Sequence, residues 1–185
     1  MICLVCNESF EAAATGRPRL FCSGRCRVSA HRNRSLPSEL IGTPRWIRHV
    51  RKRPITWAGH YASVTNPDHW ASYQDARRSS FGDGLGFVLN GDGIICLDLD
   101  DCFDGGQLKP DAQRLLDSVG ESYTEVSPSG RGLHVWGYND DLDKGRVTSF
   151  GEQKVEVYPS GRYITVTERP MVRARMGFLN LTGIR

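Results

Sequence analysis

Asp98 and Asp100 stand at the end of the apolar run Ile94-Ile95-Cys96-Leu97. Side chains alternate along a strand, so both carboxylates leave on the same face. Two such neighbours repel unless a cation lies between them. Placing them after a buried run has a stability cost that a hard divalent ion, Mg²⁺ or Mn²⁺, would offset. A D-x-D pair alone fits equally well with a charged strand end entering a turn, because Asp101-Cys102-Phe103-Asp104 follows. Glu156 is a third acid, alone between Val155 and Val157. Such an acid faces water, a cation or a partner. Asp98, Asp100 and Glu156 together can hold two metals, which activate a hydroxyl nucleophile and stabilise a leaving pyrophosphate.

The segment Ser127-Pro128-Ser129-Gly130-Arg131-Gly132-Leu133-His134 supplies a matching substrate side. Its glycines allow close backbone approach to phosphate oxygens, and Arg131 offers a bidentate fork. Ser127 and Ser129 add hydroxyls. His134 opens an apolar strand, where it can face a triphosphate. The plain alternatives are a satisfied strand histidine at 134 and an exposed edge acid at 156.

A second constellation lies at the N-terminus. Cys3 and Cys6 form C-x2-C, and Cys22 and Cys26 form C-x3-C. Two thiolates at each end of a short loop can close tetrahedrally on Zn²⁺. So short a piece has little core, and the metal would provide much of its folding free energy. His31 can replace one ligand. Arg27, Arg32 and Arg34 would lie beside the metal as phosphate contacts. Cys96, inside an apolar run, reads as a small buried hydrophobe.

The elements that position these residues are legible in outline. Residues 1–34 form the expected zinc-binding module. Residues 35–45, interrupted by Pro37, Gly42 and Pro44, form a linker. Residues 46–185 form an α+β domain. Asn66-Pro67-Asp68 opens a helix running through Arg78. GLGFVLN and GIICLDLD are strands, and Asn90-Gly91-Asp92-Gly93 between them predicts a hairpin. LKPDAQRLLDSVG predicts a helix, with Pro110 in its first turn and Gly120 at its end. SYTEVSP, RGLHVWGY, KVEVYP and RYITVTE are further strands, the last two joined as a hairpin by Pro159-Ser160-Gly161.

The 185 residues, 39% hydrophobic and 24% charged, can build a core, which excludes a disordered chain. No apolar run reaches the roughly 20 residues of a membrane span. The start MICLVCNESF lacks a secretory signal, so a cytoplasmic protein with reduced thiols is expected. Net charge is +3 but unevenly placed. Residues 1–53 carry 11 Lys and Arg against 3 Asp and Glu, a net of +8, and the remainder nets −5. A basic front suits a polyanion partner.

The order D-x-D, S-P-S-G-R-G-x-H, apolar-E-apolar, then G-R-Y-x-T-x-T resembles the archaeo-eukaryotic-type primase superfamily. It is most similar to the primase–polymerase domains of bacteriophages and plasmids. RKRP, SVTNPDHWASYQDA and GLGFVLNGDGIICLDLDDC fit the same pattern, and the resemblance runs from Trp46 to Glu168. It implies an α+β fold around an RRM-like catalytic sheet. It implies Asp98 and Asp100 as the first metal-binding motif, His134 as a nucleotide-contacting histidine and Glu156 as the third carboxylate. Ser127, Ser129 and Arg131 fall where the family handles the incoming triphosphate. Lys52, Arg53 and Arg162 are secondary candidates for phosphate or template contact. The implied partners are a single-stranded DNA template and nucleoside triphosphates. Many relatives continue into a helicase, whereas this chain has no G-x-x-x-x-G-K-[ST] loop. It is therefore expected to act alone, with a separate replicative helicase, or as a fragment. Thr167-Glu168 stands where the family pattern has T-G, and the cysteine module is not a constant family feature.

Three other readings remain open on the residues. A phosphatase of the haloacid dehalogenase type also begins with D-x-D, but leaves SPSGRGLH unexplained. A non-catalytic zinc-containing DNA-binding replication protein suits the basic front half, yet gains nothing from an acid triad. A metal-dependent nuclease would use the same metal chemistry.

Overall fold

The computed structural model describes residues 1, 3, 8–11, 21–32 and 36–184. Two short helices come first, α1 (Gly24–Arg32) and α2 (Ser38–Gly42). They precede β1 (Trp46–Val50) and β2 (Arg53–Ile55), then α3 (Tyr73–Arg78) and β3 (Gly84–Asn90). Next are β4 (Ile94–Leu99), the two-residue pair β5 (Phe103–Asp104) and β6 (Gln107–Leu108), and α4 (Pro110–Val119). The remainder is strand: β7 (Thr124–Val126), β8 (Leu133–Tyr138), β9 (Arg146–Phe150), β10 (Gln153–Tyr158), β11 (Ser160–Val166), β12 (Pro170–Val172) and β13 (Gly177–Phe178). The domain is a mixed α+β fold built mostly from antiparallel strands. No helix among the described residues is long and apolar enough to cross a membrane.

Two sheets carry the architecture. One has the order β11-β3-β1-β2, the other β12-β7-β8-β4-β10-β9, with β13 parallel to β8. Their facing sides share one core, where Trp46, Phe87 and Ile164 of the first meet Cys96, Trp136 and Tyr158 of the second. The far side of the larger sheet has its own core. There Ile95, Leu97, Leu99, Leu133 and Val155 pack on Ala112, Leu115 and Val119 of α4. Strand β4 is thus buried on both faces, which is why its sequence is a near-continuous apolar run.

The expected hairpin at Asn90–Gly93 does not form. Strand β3 pairs with β1 and β11, whereas β4 pairs with β8 and β10. The four residues are instead a corner between sheets. Gly91 and Gly93 turn it with φ of 76° and 86°, a region that favours glycine. Pro159-Ser160-Gly161 is likewise a corner, from β10 to β11. The two corners are bonded, Gly91 N–H donating to the Pro159 carbonyl at 3.0 Å, and Arg45 pairs with Asp92 at 2.9 Å. A single antiparallel ribbon, β3–β4 against β10–β11, therefore bends through both sheets. Turn composition alone cannot separate a hairpin from such a bend, because both need positive φ.

The expected helix from Asn66 is also divided. Pro67–His69 is a 3-10 turn, and α3 starts afresh at Tyr73 with Ser72 as its cap. Between them Ala71 pairs with Trp46 through two backbone hydrogen bonds. Leu36 and Leu40, within the stretch expected as a linker, lie in the inter-sheet core, and Trp46 Nε1 donates to the Leu40 carbonyl at 3.0 Å.

Candidate active site

Register places the acids. In the antiparallel ladders Asp98 of β4 lies opposite His134 of β8 on one side and Glu156 of β10 on the other. His134 in turn lies opposite Glu125 of β7. Cross-strand neighbours on one face sit about 5 Å apart at Cβ, so Glu125, His134, Asp98 and Glu156 form one polar row across four strands. The next row inward is Cys96, Trp136 and Tyr158, all in the inter-sheet core. The polar row thus begins where that core ends. Exposure grades accordingly: the Asp98 side chain is 25% exposed and that of Asp100 is 64%.

His134 is held between two carboxylates. Its Nδ1 lies 3.4 Å from Glu125 and its Nε2 lies 3.7 Å from Asp98. Glu125 is fully buried and well supplied with donors. It accepts from the Thr167 and Glu168 backbone N–H groups at 3.0 Å each, and from the Thr167 hydroxyl at 3.1 Å. These bonds fasten β7 to the segment after β11. Glu125 was not among the residues singled out above. Its signal was the one that marked Glu156, an acid inside a strand beside a β-branched residue.

Burial pushes the Asp98 carboxyl above the usual carboxylate range; His134 and Lys154 pull it back, and Asp100 and Glu156 push it further up. Lys154 stands among the acids: its amine pairs with Glu156 and lies 3.6 Å from Asp100. The hydrogen bond to Glu156 raises the Lys154 pKa. An ammonium therefore occupies the space between two expected metal ligands. Among the described residues the three acids do not form a tight cluster of ligand atoms; Cys3, Cys22 and Cys26 do. Tyr158 also donates its hydroxyl to Glu156, and the Arg162 guanidinium stacks 3.6 Å above the Tyr158 ring. Arg162 is thus brought to the row.

The Ser127–Gly132 loop joins β7 to β8. Ser127 N–H donates to the Gly132 carbonyl at 2.8 Å, and the Ser127 and Ser129 hydroxyls are 3.1 Å apart. Gly132 is pressed onto β4: a Cβ there would come within 2.5 Å of the Leu99 carbonyl oxygen. This close approach fixes the loop beside Asp98. The Arg131 side chain is exposed, 3.9 Å from Asp101. Lys52 and Arg53 lie elsewhere, at the exposed turn between β1 and β2.

No family model matches the chain. An alignment 117 residues long, covering 59% of the chain, is 40% identical to the DNA primase-polymerase of Nitratiruptor phage NrS-1. The chain carries a region homologous to a phage primase-polymerase. That region amounts to 16% of the phage protein's length.

Away from the acid row, three of the four cysteines expected as zinc ligands lie together. The sulfurs of Cys3, Cys22 and Cys26 all lie within 4.8 Å of one another, and Cys22 and Cys26 are 3.6 Å apart. Tetrahedral thiolates at about 2.3 Å from Zn²⁺ would be about 3.8 Å apart. Cys3 is fully buried. These three sulfurs could hold Zn²⁺. Cys6, Arg34 and the side chains of His31 and Arg32 lie outside the described residues, while Arg27 is exposed.

Proposed function

We propose that this chain is a template-dependent nucleotidyltransferase, a DNA primase or polymerase of the phage and plasmid replication type. The carrying observation is the cross-sheet row in which His134 and Glu156 flank Asp98 beside the Ser127–Gly132 loop. Homology to a primase-polymerase supports the same reading.

Asp98, Asp100 and Glu156 would hold Mg²⁺ or Mn²⁺. The fit rests on the repelling acids around Asp98 and on the Lys154 ammonium, which already stands in as a cation between Asp100 and Glu156. Bound there, the metals would supply charge for activating a 3′ hydroxyl and for the departing pyrophosphate. The protein's own groups do the rest. Glu125 holds Nδ1 of His134, leaving Nε2 directed to the Asp98 side, where it can bond a phosphate oxygen. Ser127, Ser129 and Arg131 present donors to the triphosphate from a loop fixed by Gly132. Arg162, braced on Tyr158, adds positive charge to the same side. Cys3, Cys22 and Cys26, with Cys6, would hold a structural Zn²⁺. A single-stranded DNA template and nucleoside triphosphates are the substrates, and a separate helicase is the expected replication partner.

The test is incubation with single-stranded template, Mn²⁺ or Mg²⁺ and labelled nucleotides. Asp98→Ala and Glu156→Ala are each expected to reduce product by roughly a thousandfold, the several kcal/mol that metal-borne charge stabilisation supplies. Product that persists in the Asp98→Ala, Asp100→Ala double variant sinks the assignment. Phosphate release without a template would favour a phosphatase instead.

A further inference from the structure

Three large aromatic side chains are exposed in one region away from the acid row: Trp57 at 51%, Tyr61 at 76% and Phe81 at 51%. Soluble domains usually cover such rings, so a cluster of them marks a contact surface. Their backbone is tightly held. Tyr61 bridges Ile55 of the edge strand β2. Thr56 and Gly59 close a turn, and the Ser79 hydroxyl donates to the Trp57 carbonyl at 2.6 Å. The Phe81 ring lies on Gly59, where a Cβ would come within 2.7 Å of it. Arg48 donates to the Phe81 and Gly82 carbonyls at 2.7 and 3.3 Å. The rings are therefore presented by fixed backbone, not by a loose loop.

The charge beside them is mainly positive, with Asp83 as the neighbouring acid. From Leu40 to Pro67 the sequence contains no Asp or Glu. Arg51, Lys52 and Arg53 are all exposed at the β1–β2 turn. Arg51 and Lys52 both take positive φ, 46° and 64°, and Asp83 accepts the Arg51 N–H at 2.7 Å. Basic residues held at a cost in a conformation suited to Gly or Asn point to a function for their side chains. Strand β1 is tied to β11 on the same side, where His49 stacks on Tyr163 at 5.9 Å.

We propose that residues 56–61 and Phe81 form a stacking platform for the bases of single-stranded nucleic acid, whose phosphates are held by Arg51, Lys52 and Arg53. Every base has a π face, so aromatic stacking beside a cationic track binds single strands with little sequence preference. A duplex keeps its bases stacked on one another and gains little from the rings. A rim in which Arg51, Lys52 and Arg53 outnumber the single acid Asp83 suits a polyanion. The inference rests on the proposed function, in that the bound strand is the template.

The experiment is anisotropy of a labelled oligothymidylate, single-stranded and as a duplex, titrated with the full chain. Replacement of Trp57, Tyr61 or Phe81 by Ala is expected to weaken single-strand binding roughly tenfold each. Duplex binding should change little, and Trp57→Phe should retain most of the affinity. Lys52→Ala and Arg53→Ala should each lower the steepness of the salt dependence by about 0.7. Circular dichroism confirms that the variants are folded. A triple aromatic variant that binds the single strand like the parent overturns the platform, as does equal loss for duplex. Altered sedimentation with unchanged DNA affinity assigns the face to protein docking and also overturns it. Template-dependent synthesis alongside unchanged aromatic-variant binding defeats this inference alone. Aromatic-dependent binding without any synthesis defeats the proposed function alone.

Discussion

Glu156 of β10 lies directly opposite Asp98 of β4, in a ladder that pairs Val155 with Leu99 and Tyr158 with Cys96. Both carboxylates leave the inter-sheet face of the larger sheet at the level where its apolar core stops. A register slip of one residue would turn Glu156 onto the α4 side, into a largely apolar cluster. Register, not proximity in sequence, makes the pair.

Asp98→Asn is expected to raise the stability of the metal-free protein while abolishing synthesis. Burial and the neighbouring acids make the ionised form unfavourable there, and Asn keeps the shape without the charge. The urea midpoint in the presence of a chelator measures the gain. A lower midpoint for the variant refutes electrostatic frustration at this position.

Glu125→Gln should lower synthesis by roughly 10–100-fold, the range for losing an outer partner that orients a functional histidine. It should also cost about 1–3 kcal/mol of stability, because the buried donors of Thr167 and Glu168 lose a charged acceptor. Single-turnover kinetics with nitrogen-edited spectra of His134 check this. A change in the histidine tautomer separates orientation from a general loss of fold.

Replacing Cys3, Cys22 or Cys26 with Ser should reduce zinc affinity by at least about 100-fold, since each supplies a thiolate and not an outer contact. Bound zinc per chain, measured after gel filtration against a weak chelator, decides it. Full zinc retention in the Cys22→Ser, Cys26→Ser variant removes these sulfurs from the site.

His49 gives the fold a pH dependence of definite sign. Burial lowers its pKa; Asp83 opposes the shift and Arg48 adds to it. Below the ordinary value near 6.5 the unfolded chain binds more protons than the native one at this residue. Stability should therefore fall as pH drops from about 6.5 toward the lowered native value, and be retained in full above about 6.5. Denaturant midpoints at several pH values measure the slope, which His49→Gln should reduce. An unchanged slope in that variant assigns the effect to other groups.

The sequence by itself carried the chemistry. Acid spacing in Asp98 and Asp100, the isolated Glu156, the Ser127–His134 loop and the cysteine spacing were all visible, because each depends on local pattern and residue type. The α4 helix was visible for the same reason, through Pro110, Gly120 and apolar spacing. The tertiary structure decided which residues meet. Asn90–Gly93 and Pro159–Gly161 look like hairpins locally, yet β3 and β11 bury their apolar faces against β4 and β10 in a shared core. The acids stand at the edge of that core. Glu125 joined His134 only through the β7–β8 register, and Lys154 reached Asp100 only because β10 lies beside β4. Such relationships depend on long-range pairing, which no window of sequence contains.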